Sequence, residues 1–455
     1  MPFASEIISF TSPLFLSFAV LVILLYYTVF RKLQWQFLLV ASALYYACTG
    51  WQNCVYIVIT IGSVYAAARF FGTDRGRKGK RIVFWLCLAL QIGMLAYLKY
   101  ISDRFPLGIS FYTLQSLSYL IDSYREPTAE RIETNPGKLA LFVAFFPQLT
   151  QGPMARYSEL KKTLYGGHAF SADAFTGGLA RAAFGFFKKM VIADALMPLA
   201  RAYCHGPAQI AVALLLYAAA LYCDFTGGID IALGLAQMLG IALPENFNRP
   251  YLAKSVAEFW RRWHMTMGAW FRDYVFMPLS VSAPFLKLSS WSRKTFKNKL
   301  GKRLPVYIAT LLTWLLTGAW HGGNAWFLLW GLANGLIILL SQELEPLYRK
   351  FHTRFPRLRE NKLYGAFQVV RCFVIMSLIR GINLAGVGFT PELTPALAWP
   401  QWILITLALL LVIFYRPPKR RLWRVCAAGA FIVAVLVFGV YGFGYDSAAF
   451  MYSRF

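Results

Sequence analysis

Thr317-Gly318-Ala319-Trp320-His321-Gly322-Gly323-Asn324-Ala325-Trp326-Phe327 lies inside 39 residues, Leu304 to Gln342, that carry no formal charge. One bilayer crossing takes about 20 apolar residues, so this stretch is long enough to cross twice. A titratable group in or near hydrocarbon is costly, which makes an intramembrane histidine a mark of function. Imidazole is also the side chain best suited to take a proton near neutral pH. The stretch therefore predicts proton chemistry carried out inside a membrane protein.

The rest of the chain agrees with that class. Of 455 residues, 58% are hydrophobic and only 15% are charged, against about 25% charged in soluble domains. No soluble segment is long enough for a separate catalytic module, so residues 1–455 read as one integral-membrane domain. The net charge of +26 does not gather on one amphipathic face, which argues against nucleic acid as a partner. It falls in short connections: Arg75 to Arg81, Lys287 to Arg303, Arg349 to Arg359 and Arg416 to Arg424. That positive-inside pattern predicts four cytoplasmic loops, with the bilayer itself and its anionic lipids as partners. Seven scattered cysteines without a Cys-x-x-Cys read as buried thiols, not as a disulfide framework or a zinc site. Residues 7–30 predict a retained span and not a cleaved signal peptide.

Apolar runs near 9–30, 33–49, 52–70, 82–99, 178–203, 208–241, 255–281, 305–342, 363–382, 399–415 and 425–443 predict an all-α polytopic fold of about eleven crossings. The stretch 105–152 is interrupted by Pro106, Gly108, Pro136 and Pro147, and reads as part spans and part re-entrant or interfacial helices.

A second block runs from Asn246-Phe247-Asn248-Arg249-Pro250-Tyr251 through Trp260-Arg261-Arg262-Trp263-His264 to Arg272-Asp273-Tyr274. Drawn as one helix from Val256, positions 260, 263, 264, 267, 270, 271 and 274 form a largely aromatic stripe. An interfacial helix explains the basic flanks, but an anchor does not require His264 on the aromatic face. His168, His205 and His352 lie in polar connections and read as solvated. Asp224 and Asp230 interrupt another apolar run, where Gly227-Gly228 predicts a break; Arg249 or Arg261 are their expected structural partners. No Gly-x-Ser-x-Gly elbow or metal-ligand spacing is present. What remains is a histidine base acting on a substrate hydroxyl.

These blocks resemble the membrane-bound O-acyltransferase family, in particular its alginate O-acetyltransferase and peptidoglycan O-acetyltransferase-like branch. The matching pieces are Gly108-Ile109-Ser110-Phe111-Tyr112, Phe145-Phe146-Pro147 with Gln151-Gly152-Pro153, Asp224-Phe225, Pro244 to Tyr251, the block ending at His264, and Trp320-His321-Gly322. The resemblance implies His321 as the catalytic residue, His264 as a second functional histidine, and a central funnel or tunnel with both at its neck. It implies no bound cofactor, acetyl-CoA as the cytoplasmic donor, a polysaccharide acceptor outside the cytoplasmic (inner) membrane, and a hydrolase-like extracytoplasmic partner protein. Two departures stand out: Ser280-Val281 replaces the usual Gly-Gly, and the 283–303 loop is unusually basic.

In that reading His321 removes the proton of a sugar hydroxyl as it attacks an activated acyl group, worth roughly 10²–10⁴-fold. Asn324 and the Gly322-Gly323 backbone are oxyanion candidates on chemical grounds; Trp320, Asn248, Arg249 and Arg261 are binding candidates. Tyr452, in the aromatic C-terminal tail, is a candidate acyl relay, because a phenol leaves more readily than a sugar alkoxide. The rival enzyme reading is D-alanyl transfer to teichoic acid. The rival of another class is a transporter or channel without acyl chemistry.

Overall fold

The computed structural model describes residues 9–102, 104–202, 207–387 and 399–441, and every regular element among them is helical. Helices are what an apolar chain needs in hydrocarbon, because each satisfies its own backbone donors and acceptors. Six are long and apolar enough to cross a membrane: Trp51–Phe71, Arg77–Tyr100, Ala208–Met238, Ala325–Arg354, Lys362–Ala385 and Arg421–Phe438. Pro13–Tyr27 and Gln401–Phe414 are shorter apolar helices. Val58, Leu86, Leu404, Leu407 and Leu436 are each more than half exposed, as a lipid-facing surface requires. Two apolar stretches are cut into pieces: 105–152 holds Ile109–Arg125, Pro136–Ala144 and Phe146–Leu149, and 255–281 is broken at His264. Tyr452 lies outside the described residues.

The chain divides into two compact units, one of residues 1–196, 219–244 and 398–455, the other of residues 197–218 and 245–397. In the first, the Ile109–Arg125 helix is buried along most of its length. Gly108 precedes it at φ 70, where a Cβ would lie 2.4 Å from the Leu149 carbonyl oxygen. A lysine and aspartate cluster crosses the same unit. Lys189 Nζ lies 2.7 Å from both Asp224 and Asp194, and Asp230 takes Arg181 at 2.9 Å and Lys188 at 2.5 Å.

That cluster corrects two expectations. Asp224 and Asp230 are held by Lys188, Lys189 and Arg181, where Arg249 or Arg261 was expected. The helix Pro207–Met238 also runs straight through Gly227-Gly228. Its glycines serve close packing instead: a Cβ on Gly227 would meet the Gly185 oxygen at 2.9 Å, and one on Gly234 the Gly178 oxygen at 2.5 Å. Small residues that let two helix backbones touch are a membrane packing device.

The second unit is built on a helical hairpin, Lys299–His321 and Ala325–Arg354, with Lys362–Val387 beside it. Gly318 and Gly331 mark the crossing: a Cβ on Gly318 would meet the Phe327 oxygen at 2.4 Å, and one on Gly331 the Trp314 oxygen at 2.4 Å. His321 is the last residue of the first arm. The segment 283–303, expected as a loop, is helical over Ala283–Thr295 and again from Lys299.

Candidate active site

The aromatic block does not form the single helix its periodicity predicts. Val256–Arg262 ends at Trp263, which is extended, and His264 takes a left-handed conformation at φ 45 before Met265–Phe271 begins. The cause lies 18 residues upstream. Asn248 N–H donates to the Arg262 oxygen at 2.9 Å, and Met265 N–H donates to the Asn246 oxygen at 2.9 Å. The strand-like Asn246–Asn248 segment thus takes the backbone groups that would have continued the helix. Among the described residues only Arg249 and His264 are non-glycine residues at positive φ. Such strained backbone persists where surrounding structure enforces it, and it clusters at functional sites.

The Asn246 side chain fixes the His264 ring. Its Oδ1 accepts from Thr266 N–H at 3.1 Å and from Thr266 Oγ1 at 2.9 Å, and lies 3.1 Å from His264 Nδ1. A backbone N–H can only donate, so the shared atom is the amide oxygen. His264 Nδ1 must then carry the hydrogen, and Nε2 is the acceptor nitrogen of the neutral ring. His264 is 1% exposed. The ring has a defined tautomer, with a lone pair on a defined nitrogen.

His264 lines a cavity of about 230 Å³ together with Trp260, Trp263, Met267, Phe271 and, from the hairpin arm, Thr310, Thr313, Trp314 and Thr317. The threonine hydroxyls at 310, 313 and 317 all bond back to the carbonyl four residues earlier. His321 stands one turn beyond Thr317 on the same helical face. It is buried and lies against Trp330, with ring centroids 5.0 Å apart and planes near perpendicular. Trp330 in turn meets Trp314 at 6.1 Å and Trp260 at 5.9 Å. A continuous wall of indole rings therefore joins the His321 imidazole to the cavity that His264 lines.

The other expected residues divide. Trp320 is buried and touches both His321, at 4.9 Å, and the cavity residue Phe271, at 6.5 Å. Asn324 caps the return helix, its Oδ1 accepting Trp326 N–H at 2.8 Å, which leaves only its amide N–H groups for an oxyanion. Asn248 and Arg261 are exposed and line no part of the cavity. Arg249 contributes its left-handed backbone at the turn. Reading the sequence singled out the block that holds Asn246 without giving that residue a role, and missed Trp314, Trp330 and the threonine row. Thr310, Thr313 and Thr317 share helical spacing in an apolar run, the one signal that marks them; nothing local ties Asn246 to His264, 18 residues on. Among the described residues no group of three or more His, Cys, Asp or Glu side chains gathers around a metal position.

Together these features define an all-helical membrane protein with two buried histidines joined by an aromatic wall. The model of the MBOAT, membrane-bound O-acyltransferase family matches residues 79–381, and the chain belongs to that family. The chain is 37% identical over 246 residues to "Probable alginate O-acetylase AlgI" of Azotobacter vinelandii, covering 52% of this chain and 45% of that one. Against the Pseudomonas aeruginosa protein of the same name it is 33% identical over 354 residues, 70% of this chain and 63% of the relative. Against "Peptidoglycan O-acetyltransferase" of Helicobacter pylori it is 30% identical over 376 residues, with 70% and 67% covered. The matches thus span about half to two thirds of the length of these curated relatives.

Proposed function

We propose that this chain transfers acetyl groups from acetyl-CoA, delivered on the cytoplasmic side, for O-acetylation of a cell-envelope or secreted polysaccharide outside the cytoplasmic membrane. In this reading the chain crosses that membrane about eleven times, around a tunnel that brings donor and acceptor to the histidines. The observation that carries it is the indole wall of Trp260, Trp314 and Trp330, which ties His321 to the His264 cavity. A transporter needs a polar path; it does not need a strained, tautomer-fixed imidazole.

The chemistry follows from the side chains. The acceptor oxygen attacks the thioester carbonyl carbon while His321 takes the hydroxyl proton, a step worth roughly 10²–10⁴-fold. The C–S bond breaks, and the His321 imidazolium returns that proton to the departing thiolate. His264 offers its acceptor nitrogen to a donor group in the cavity, either the acceptor hydroxyl or the departing thiol. Holding two reactants in a narrow apolar space adds rate through positioning. The Gly322-Gly323 backbone and the Asn324 amide N–H groups are the candidates for the developing oxyanion. A hydrolase-like partner outside the membrane completes delivery to the polymer.

The test is the full-length protein in proteoliposomes with acetyl-CoA labelled in the acetyl group. Label should appear on an external acceptor, and no unmodified solute should cross at a comparable rate. Solute flux without acetyl transfer would favour a transporter. Transfer from a D-alanyl donor and not from acetyl-CoA would move the chain to teichoic acid chemistry.

A further inference from the structure

The helix Lys362–Ala385, one of the six long enough to span, carries two arginines that meet different fates. Arg371 sits at a polar edge and donates to the Lys254 carbonyl at 3.2 Å and the Tyr348 hydroxyl at 3.3 Å. Arg380 is 3% exposed, and its Nε and Nη1 have no hydrogen-bond partner. Among the described residues no carboxylate forms an ion pair with it. Its guanidinium lies instead on the Trp263 ring, 3.8 Å from the centroid, with Phe259 and Tyr251 at 5.6 and 5.9 Å. A cation over aromatic faces is stabilised, but by less than the cost of burying an unpaired charge.

Two more buried polar atoms of the same helix share the situation. Ser377 Oγ and Asn383 Oδ1, three residues to either side, have no hydrogen-bond partner. Residues three apart on a helix follow one face with a rise of about 4.5 Å per step. Ser377, Arg380 and Asn383 therefore form a polar stripe in an apolar span. Buried polar groups of a native fold are otherwise satisfied, and intramembrane ionisable residues mark ligand paths. The stripe adjoins the site through Trp263, which carries the guanidinium and lines the His264 cavity.

We propose that Arg380, flanked by two donors, the Ser377 hydroxyl and the Asn383 amide N–H groups, is an anion-binding site that takes an oxyanion carried by one of the two reactants. The ligand is a phosphate of the acyl donor or a carboxylate of an acidic acceptor; both are planar or tetrahedral oxygen acceptors that a guanidinium fork grips well. The proposal rests on reading the Trp263-His264 turn as part of an acyl-transfer site. Its test is an equilibrium one and needs no turnover, so transfer can fail while binding stands.

The experiment is equilibrium dialysis of the full-length protein in nanodiscs against labelled pyrophosphate, a labelled hexa-uronate and a neutral hexasaccharide. Wild type should bind at least one of the two anions saturably, at one site per chain, and the neutral sugar not at all. Pyrophosphate binding assigns the site to the donor, uronate binding to the acceptor. Arg380→Met should weaken that binding by roughly tenfold or more, the range for hydrogen bonds to charged groups, and Arg380→Lys should recover part of it. Should Arg380→Met fail to fold, the double variant Ser377→Ala, Asn383→Ala decides: weakened binding supports the site and unchanged binding overturns it. No saturable anion binding by wild type, or unchanged affinity in folded Arg380→Met, overturns it as well and leaves Arg380 a purely structural support for Trp263.

Discussion

Asn246 Oδ1 lies 3.1 Å from His264 Nδ1, and the same oxygen caps the helix that starts after His264 by accepting Thr266 N–H at 3.1 Å. One side chain thereby sets the bend of the backbone, the orientation of the imidazole and the position of its proton. Asn246→Leu fills similar volume without the oxygen. It should lower kcat by at least about tenfold, a part of the general-base range, with KM for the acyl donor little changed. Steady-state kinetics in proteoliposomes check it. An unaltered kcat would mean that the His264 tautomer does not matter to the reaction.

Lys189 stands between Asp224 and Asp194 in the other unit, its side chain 1% exposed. Lys189→Met leaves two carboxylates facing each other out of water and should destabilise by about 3–5 kcal/mol. Adding Asp224→Asn should recover part of that loss. If the single variant melts with wild type, the cluster is more hydrated than its burial indicates.

How far the chain could be read in advance follows from the range of each interaction. His321 was legible because charge is absent for 39 residues around it, a purely local pattern. His264 was legible as a residue but not as a conformation. Its helix break is imposed by Asn246 across 18 positions, and helical periodicity carries no trace of it. Gly227-Gly228 read as a helix breaker because the Gly185 backbone that packs against Gly227 belongs to another helix. Asp224 and Asp230 drew the wrong partners for the same reason: Lys188 and Lys189 sit on a π-helical turn, Phe187–Ala193, whose register no spacing rule anticipates. Arg380 has no mark in the sequence, because the Trp263 ring it lies on is 117 positions away.

The four basic segments should all lie on the cytoplasmic side, since Lys and Arg in short connections set orientation. Single cysteines in place of Lys78, Asn298, Phe355 and Lys419, in a cysteine-free background, test this with an impermeant thiol reagent. All four should label only after the membrane is opened. Labelling of any two in intact cells would reverse the proposed direction of transfer.

The most direct test of the account is acetyl transfer by purified His321→Ala with its partner protein in proteoliposomes, measured as label moved from acetyl-CoA to the acceptor. The variant should reach the membrane at near-normal levels and transfer acetyl at least about 100-fold more slowly, the lower end of what a general base supplies. Retention of more than roughly a tenth of wild-type activity would contradict the assignment, because a reaction that loses so little does not pass its proton through His321.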